Sequence, residues 1–574
     1  MRPRSRDFGS WEAVMSEDSA QTAGRLSRRA FLKGVGAGGA SLAVGTMVAR
    51  PVFAETPELW LKPGAVAELP AQLHLQFGRN AAEEMVASWS TTVPVARPRI
   101  RLGTSPGDLD RTIEAFVKTY TDGLSGTQVL TYHARVHGLR PDTDYHYQVL
   151  HDGSQPVAGS FRTAPRGRAP LTFSSFGDQS IPDKLGNPPT QPWTPYAGLV
   201  VGEVEARRPL FHLLNGDQCY GNVAGREHLR VQTWRSFWNN NTRSARFRPW
   251  MPAAGNHENE RLDGRPGLDP FKAYQTWFEL PSSGSDPEFH GLWYTFRVGA
   301  VQVVSINNDD VCYQNGGNTY VRGYSGGAQK SWLSRTLAAA RSDEDVDWIV
   351  VCMHQVAMST AIPFNGSELG IREEWLPLFD RFGVDLVVSG HEHHYERTFA
   401  VRGQEGQYRR PVPATHDVDQ IDTSKGTVHM ILGGGGHNAS SYNLYSVKDG
   451  AFEAELIAPQ NPAAPTTPAV PIPLITPRPR ERATWSATNA STDPVASHAR
   501  DSGHGYGFAS FEVDPGSEPG GWTTITVRYH RTLDPANPAD SGKVREFDSF
   551  TLRRRRADGE DERERSEEEA AVVR

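Results

Sequence analysis

The chain is poor in cysteine: its 574 residues hold three, at positions 219, 312 and 352, and no two of them form a CxxC pair. That excludes a zinc ribbon and a disulfide framework, and the odd count leaves at least one thiol free. Cys352, inside the apolar run "WIVVCM", reads as a small core residue. A basic block is also missing from the body of the chain. The formal charge is −7, and removing a leader that ends at Ala54, where basic residues are in excess, makes the remainder more acidic. No nucleic-acid partner is expected of such a surface. Nor is there a comfortable membrane span: the apolar stretch that ends at Val48 is short and glycine-rich, so no stable span is expected after processing. What remains is an ordinary soluble composition, with 37% hydrophobic and 22% charged residues, enough for two or three domains around a large core.

The N-terminus carries an address. "SRRAFLK" at 27–33 precedes the glycine- and alanine-rich stretch and then "ARPVFA", with Ala54 after Val52 as a cleavage point. This resembles a twin-arginine export signal over residues 1–54. It implies passage through the twin-arginine export machinery as a folded protein, often already loaded with a metal or cofactor. The expected destination is the exterior or the cell envelope.

From residue 63 to 165 short alternating segments such as "QLHLQFG", "EMVASWST" and "DYHYQVLHDG" are broken by Gly, Pro and Asp turns. That is the pattern of a small antiparallel β-sandwich. The run "HGLRPDTDYHYQV" resembles a fibronectin-type-III-like module, for which a spacer or substrate-shielding role is expected. The texture then changes. Over residues 170–450, continuous apolar runs ("PLFHLLNGD", "VQVVSINND", "DWIVVCMH", "VHMILGGGG") alternate with helical patterns such as "QKSWLSRTLAAARS". This predicts an α/β fold, a buried mixed sandwich with helices outside. Residues 451–500 are rich in Pro, Ala and Thr and read as an extended insertion. A β-like block at 501–555 is expected to complete the catalytic domain at a sheet edge, and the charged tail from Arg553 onward to be disordered.

Most of the apolar runs end alike. "LTFSSFGD" ends at Asp178, "PLFHLLNGD" at Asp217, "WMPAAGNHE" brings Asn256 and His257, "DWIVVCMH" reaches His354, and "VDLVVSGHEH" reaches His391 and His393. Open α/β sheets hold ligands at the carboxyl ends of their strands, so residues far apart in sequence converge there. A single Asp after a strand is an ordinary turn former. The ordered set, at separations of 39, 39, 98 and 37 residues, is not ordinary and predicts one pocket. Two metal ions need six or seven donors and a carboxylate bridge. Mixed O and N donors without thiolate favour Fe, Mn or Zn. The chemistry such a pair supports is phosphoester hydrolysis.

"GDQCY", "GNHE", "VCMH" and "GHEHHYER", together with the β-module, resemble the purple acid phosphatases among the calcineurin-like metallophosphoesterases, as an exported bacterial member. The resemblance covers residues 63–555. It implies a four-layer metallophosphoesterase sandwich behind an all-β N-terminal module. It also implies ferric iron held by Asp178, Asp217, Tyr220 and His393, and a second ion (Fe, Zn or Mn) held by Asp217, Asn256, His354 and His391, with Asp217 bridging. Phosphate monoesters, small phosphorylated molecules, would then be hydrolysed by a hydroxide generated at the dinuclear centre, with Asp217 and His257 as catalytic residues. Asn256 and His257 would face the substrate, and Glu258, Tyr395, Glu396 and Arg397 would support the ligands from behind. The first Asp is followed by "QSI" where the family often has a glycine. The segment after His354, "QVAMSTAIPFNGSELG", lacks the substrate-facing histidine pair of many plant members. That leaves His257 or the extra His394, read as a surface residue, to protonate the leaving group. Two alternatives stay open: a phosphodiesterase or nucleotidase of the same fold with Mn or Zn and Tyr220 unbound, and a non-catalytic exported binding protein.

Overall fold

Between residues 70 and 163 the alternation produces what period-2 patterning demands. In the strand Asp144–Leu150, for example, Tyr145, Tyr147 and Val149 are buried and the residues between them are not. The strands pair antiparallel into two four-stranded sheets. One runs in the order Ala71–Phe77, Met85–Thr91, Gln128–Val136, Phe116–Thr121, and the other in the order Arg111–Glu114, Arg99–Gly103, Asp144–Leu150, Val157–Arg162. The structure is a computed structural model and describes residues 68–185, 194–222, 227–259, 271–312, 323–359, 368–406, 409–437, 484–485, 506–532 and 544–559. All lie in the second of the chain's two units, Glu58–Arg574. The expectations for the leader, for nearly all of the Pro-rich segment and for the tail beyond 559 fall outside them.

The β-module is fixed to the rest by buried polar contacts. Asp122 pairs with Arg230 with both side chains buried, Lys118 reaches Glu279 at 2.7 Å, and His133 Nε2 meets the Thr276 carbonyl at 3.1 Å. The His74 ring lies flat on Trp238 at 3.7 Å. Such contacts do not suit a loosely tethered bead.

Beyond the module, two seven-stranded mixed sheets pack face to face. The first has the order Trp250–Ala253, Phe211–Asn215, Leu171–Phe176, Gly507–Asp514, Trp522–Thr532, Val544–Arg555, Gln420–Asp422. The second has the order Tyr294–Val298, Val301–Ser305, Trp348–Cys352, Leu386–Ser389, Val428–Leu432, Tyr395–Thr398, Thr484–Trp485. Every residue of Phe211–Asn215, Trp348–Cys352 and Val428–Leu432 is buried, which is why these runs are continuously apolar. Helix Pro195–Arg207 covers the first sheet and helix Ala328–Arg341 the second. This is the α/β sandwich expected. Among the described residues no helix is long and apolar enough to cross a membrane.

Two expectations need correction. The C-terminal strands do not sit at an edge: Gly507–Asp514 is the fourth of seven strands and pairs directly with Leu171–Phe176. The charged run from Arg553 is not disordered up to Gly559, because its arginines have partners. Arg554 reaches the buried Asp385 at 2.6 Å, Arg553 and Arg555 lie over Trp522, and Arg556 is bound to Asp558. Charge count alone cannot see buried counter-ions.

Candidate metal centre

Parallel pairing aligns the ends of the strands that carry the site. Asp178 and Asp217 each follow their strand by two residues, in parallel neighbours of the first sheet. His354 and His391 do the same in the second. The backbone there is strained: Asp178 (φ 59°), Asp217 (50°), Tyr220 (60°) and His391 (69°) all adopt the left-handed region, at about 1–3 kcal/mol each. The loops are stitched together. Asp178 N donates to the Gly216 carbonyl at 3.1 Å and Gln179 N to the Asp217 carbonyl at 3.1 Å. The glycine of "GHEH" has a steric reason, since a Cβ on Gly390 would come within 2.3 Å of Asp178 Oδ2.

Four donor atoms meet around His354. Its Nδ1–H donates to the Asn215 carbonyl at 2.8 Å, which leaves Nε2 as the free position. That atom stands 3.0 Å from Asn256 Oδ1, 3.1 Å from Asp217 Oδ2 and 3.2 Å from His391 Nδ1. A second group lies at the other loop. Tyr220 Oη donates to Asp178 Oδ1 at 3.1 Å and is 3.0 Å from His393 Nε2, and His393 Nε2 is 3.3 Å from the same carboxylate oxygen. The structure thus assembles all seven expected ligands into two adjoining clusters, linked where the His391 backbone N–H donates to Asp178 Oδ2 at 2.8 Å.

The electrostatics fit a cation at both places. Burial would lower His354, but the Asp217 carboxylate overrides it and holds the imidazole up at about 10. Burial would raise Asp217, but His354 and His257 hold it well below the usual carboxylate range. Burial and the carboxylates of Asp178 and Asp217 push the Tyr220 phenol well above its normal range, so only a strong Lewis acid would draw off its proton. Burial, reinforced by His354, pulls His391 well down, and its Nε2 has no hydrogen-bond partner among the described residues. A donor set of carboxylate, phenol, amide and imidazole groups, with acceptors facing one another, matches a metal site. The geometric grouping of Asp217, His354 and His391 is buried throughout.

His257 stands at the mouth of the site, its side chain 21% exposed, with Nε2 3.9 Å from Asp217 Oδ2. Burial lowers it from its ordinary value. Its backbone N–H donates to Asp217 Oδ1 at 2.8 Å. Glu258, expected behind the ligands, accepts from the backbone of Asp217 (2.8 Å), Gln218 (2.9 Å) and Gly255 (2.8 Å), so it clamps two ligand loops together. Tyr395 and Arg397 instead bind Asp548, at 2.5 and 2.7 Å, and Glu396 binds His394 at 3.0 Å. They brace the sheet and lie a step behind the ligands. His394 is buried at 3% exposure, which corrects its reading as a surface residue: Glu396 supplies the partner that lets it go inside. Sequence reasoning missed two residues. Asn222, whose Oδ1 holds His257 Nδ1, sat in plain view two positions after Tyr220. His437, after the glycine run that follows the strand Val428–Leu432, stacks on Tyr220 at 3.8 Å and had only its place behind a strand to announce it.

The family described as purple acid phosphatase, N-terminal domain, matches residues 70–163, and that described as calcineurin-like phosphoesterase matches residues 198–395. An uncharacterised protein of Mycobacterium tuberculosis is 45% identical over 550 residues, covering 92% of this chain and 96% of its own length. The Fe(3+)-Zn(2+) purple acid phosphatase 12 of Arabidopsis thaliana is 25% identical over 339 residues, 57% of this chain and 65% of that protein. The chain belongs to the purple acid phosphatase family. A solved purple acid phosphatase from yellow lupin seeds shares the fold at TM-score 0.58 and 18% identity, covering 85% of this chain and 75% of the lupin chain. Membership makes the protein a metallophosphoesterase built for a dinuclear metal centre and for small phosphorylated substrates.

Proposed function

We propose that the protein is an acid phosphatase that hydrolyses phosphate monoesters. One ion, ferric iron, would be held by Asp178, Asp217, Tyr220 and His393. The other, Fe, Zn or Mn, would be held by Asp217, Asn256, His354 and His391. The observation that carries this reading is Tyr220, whose phenol oxygen lies 3.1 Å from Asp178 Oδ1 and 3.0 Å from His393 Nε2. A buried phenol among anionic donors suits a hard trivalent ion, and the other ligands alone would fit a divalent pair equally well. When bound, such a centre supplies a hydroxide at low pH and neutralises charge on the phosphoryl oxygens.

The protein's own groups do the rest. Asn222 accepts the Nδ1–H of His257, so Nε2 is the atom that would address the substrate; a proton taken up there from solvent at acidic pH would pass to the leaving-group oxygen and return the ring to neutral. The Asp217 carboxylate accepts the His257 backbone N–H and Glu258 accepts the Asp217 backbone N–H, so the ring is carried on a loop fixed at both residues. The Asn256 amide, on the same loop as His257, shares its oxygen with His354 and His391 and would orient the phosphate.

The test is a visible spectrum and metal analysis of the protein as isolated. A broad phenolate-to-iron band that bleaches in Tyr220→Phe, with iron bound in the wild type, is expected. So is preference for p-nitrophenyl phosphate over the bis-ester at acidic pH. His257→Ala should lower turnover by about 100-fold or more with metal retained. Preference for the bis-ester with no iron bound would overturn the reading in favour of a divalent phosphodiesterase. Export through the twin-arginine machinery is proposed with it, on the strength of "SRRAFLK". Replacing both Arg28 and Arg29 by Lys should leave the protein inside the cell.

A further inference from the structure

The geometry points to His437 as the positioning residue for the Tyr220 phenol. It lies outside the stretch that matches the calcineurin-like phosphoesterases, residues 198–395, and arrives from the strand Val428–Leu432 through "GGGG". The last of these glycines is needed there: Gly436 has φ +149°, and a Cβ on it would come within 2.5 Å of the Gln179 carbonyl. The chain is thereby pressed against the Asp178 loop, and the His437 N–H donates to the Asp178 carbonyl at 2.8 Å.

From that anchor the imidazole lies flat on the Tyr220 ring, with centroids 3.8 Å apart and planes 17° apart. Its edge meets the His393 ring at 4.6 Å and 85°. One residue therefore touches Asp178, Tyr220 and His393, the three whose donor atoms cluster around the phenol. Its Nδ1 is buried and has no hydrogen-bond partner among the described residues, while the ring packs against both Tyr220 and His393. The His257 ring lies against the same tyrosine at 4.4 Å and 46°, so the phenol is confined by two imidazoles and its oxygen is aimed at Asp178 and His393. A flat ring is what this role requires; a titrating one is not.

The inference rests on the reading that Tyr220 binds ferric iron, and its test separates the two. The purified full-length protein is compared as wild type, His437→Ala, His437→Phe and Tyr220→Phe, with melting temperatures to show that each is folded. In His437→Ala the phenolate-to-iron band should shift and weaken, and iron should be lost to a chelator about 10- to 100-fold more readily. His437→Phe, which restores a flat ring, should recover both. An unchanged band and unchanged iron retention in His437→Ala overturn the proposal. If the wild type itself carries no iron and no band, the ferric reading fails. The stack is then read by tetranitromethane labelling of Tyr220, followed by mass spectrometry. Faster labelling in His437→Ala than in wild type and His437→Phe upholds the positioning role, and equal labelling rejects it.

Discussion

Asn222 uses one carboxamide to bind three residues of one loop. Its oxygen holds His257 Nδ1, while its NH2 donates to the carbonyls of Asn259 at 2.9 Å and Asn256 at 3.3 Å. The donors identify which end of the amide is which, and therefore which nitrogen of His257 carries the hydrogen. Replacing Asn222 by Ala should leave metal content intact and lower turnover by about 100-fold, the scale of a catalytic group displaced by an ångström. Asn222→Asp keeps the acceptor and should recover part of that loss. Steady-state kinetics beside metal analysis decides it: a variant that loses metal, or that keeps full turnover, would show that Asn222 does not orient His257. The residue belongs to the stretch "LNGDQCYGN", but only its neighbours Asp217 and Tyr220 stand out there. An amide that orients another side chain follows no spacing rule, so it becomes legible only when the loop of residues 256–259 is folded against it.

At the scale of elements, the site is two loops held open against their own strain. Asp217 and Tyr220 sit in left-handed backbone, and Glu258 compensates by accepting three N–H groups from the Asp217 and Asn256 loops. Burial, with Asp217 close by, pushes its carboxyl well above the ordinary range. Glu258→Ala would strand three buried donors, at about 1–3 kcal/mol each. Urea unfolding should therefore show a loss of about 3 kcal/mol or more, with reduced metal content. A loss below about 1 kcal/mol would mean the loops stand without the clamp. The strand ends that present these loops were legible, because continuous apolar runs closing on Asp, Asn or His mark parallel strands buried on both faces. The central place of Gly507–Asp514 was not, since its order in the sheet depends on a partner more than three hundred residues away. Nor was the burial of Arg554, whose counter-ion Asp385 lies immediately before the strand Leu386–Ser389 of the other sheet. Across the module boundary, the buried Asp122–Arg230 pair predicts that Arg230→Met costs about 3–5 kcal/mol, because it leaves a buried carboxylate uncompensated. A change within experimental error in a denaturation curve would show the module to be held by its apolar contacts alone.

The whole molecule carries a conflict between the proposed working pH and its own stability. His212 lies in the first sheet with its ring against Phe176 at 4.3 Å and Trp250 at 4.6 Å, and burial pushes it down to about 3. His429, in the second sheet, is pushed down to about 3 by the same cause. Both fold as neutral imidazoles. Their folded values lie below the unfolded value of about 6.5, so below that pH the unfolded chain takes up protons the folded chain refuses. The stability they allow is complete above pH 6.5 and is lost as pH falls toward 3. The loss is about 1.4 kcal/mol per pH unit for each. Denaturant titrations at pH 6.5 and 5 should therefore differ by about 3 kcal/mol from these two residues together. Loss of metal from the site would add to any acid loss, so the comparison that isolates the sheets is His212→Phe against wild type. The variant should fall by about 2 kcal/mol less over the same interval, and equal slopes would mean that His212 is protonated or solvated in the folded protein. If the slope does fall, the acid activity proposed for the protein is limited on the acid side by buried imidazoles of its two sheets.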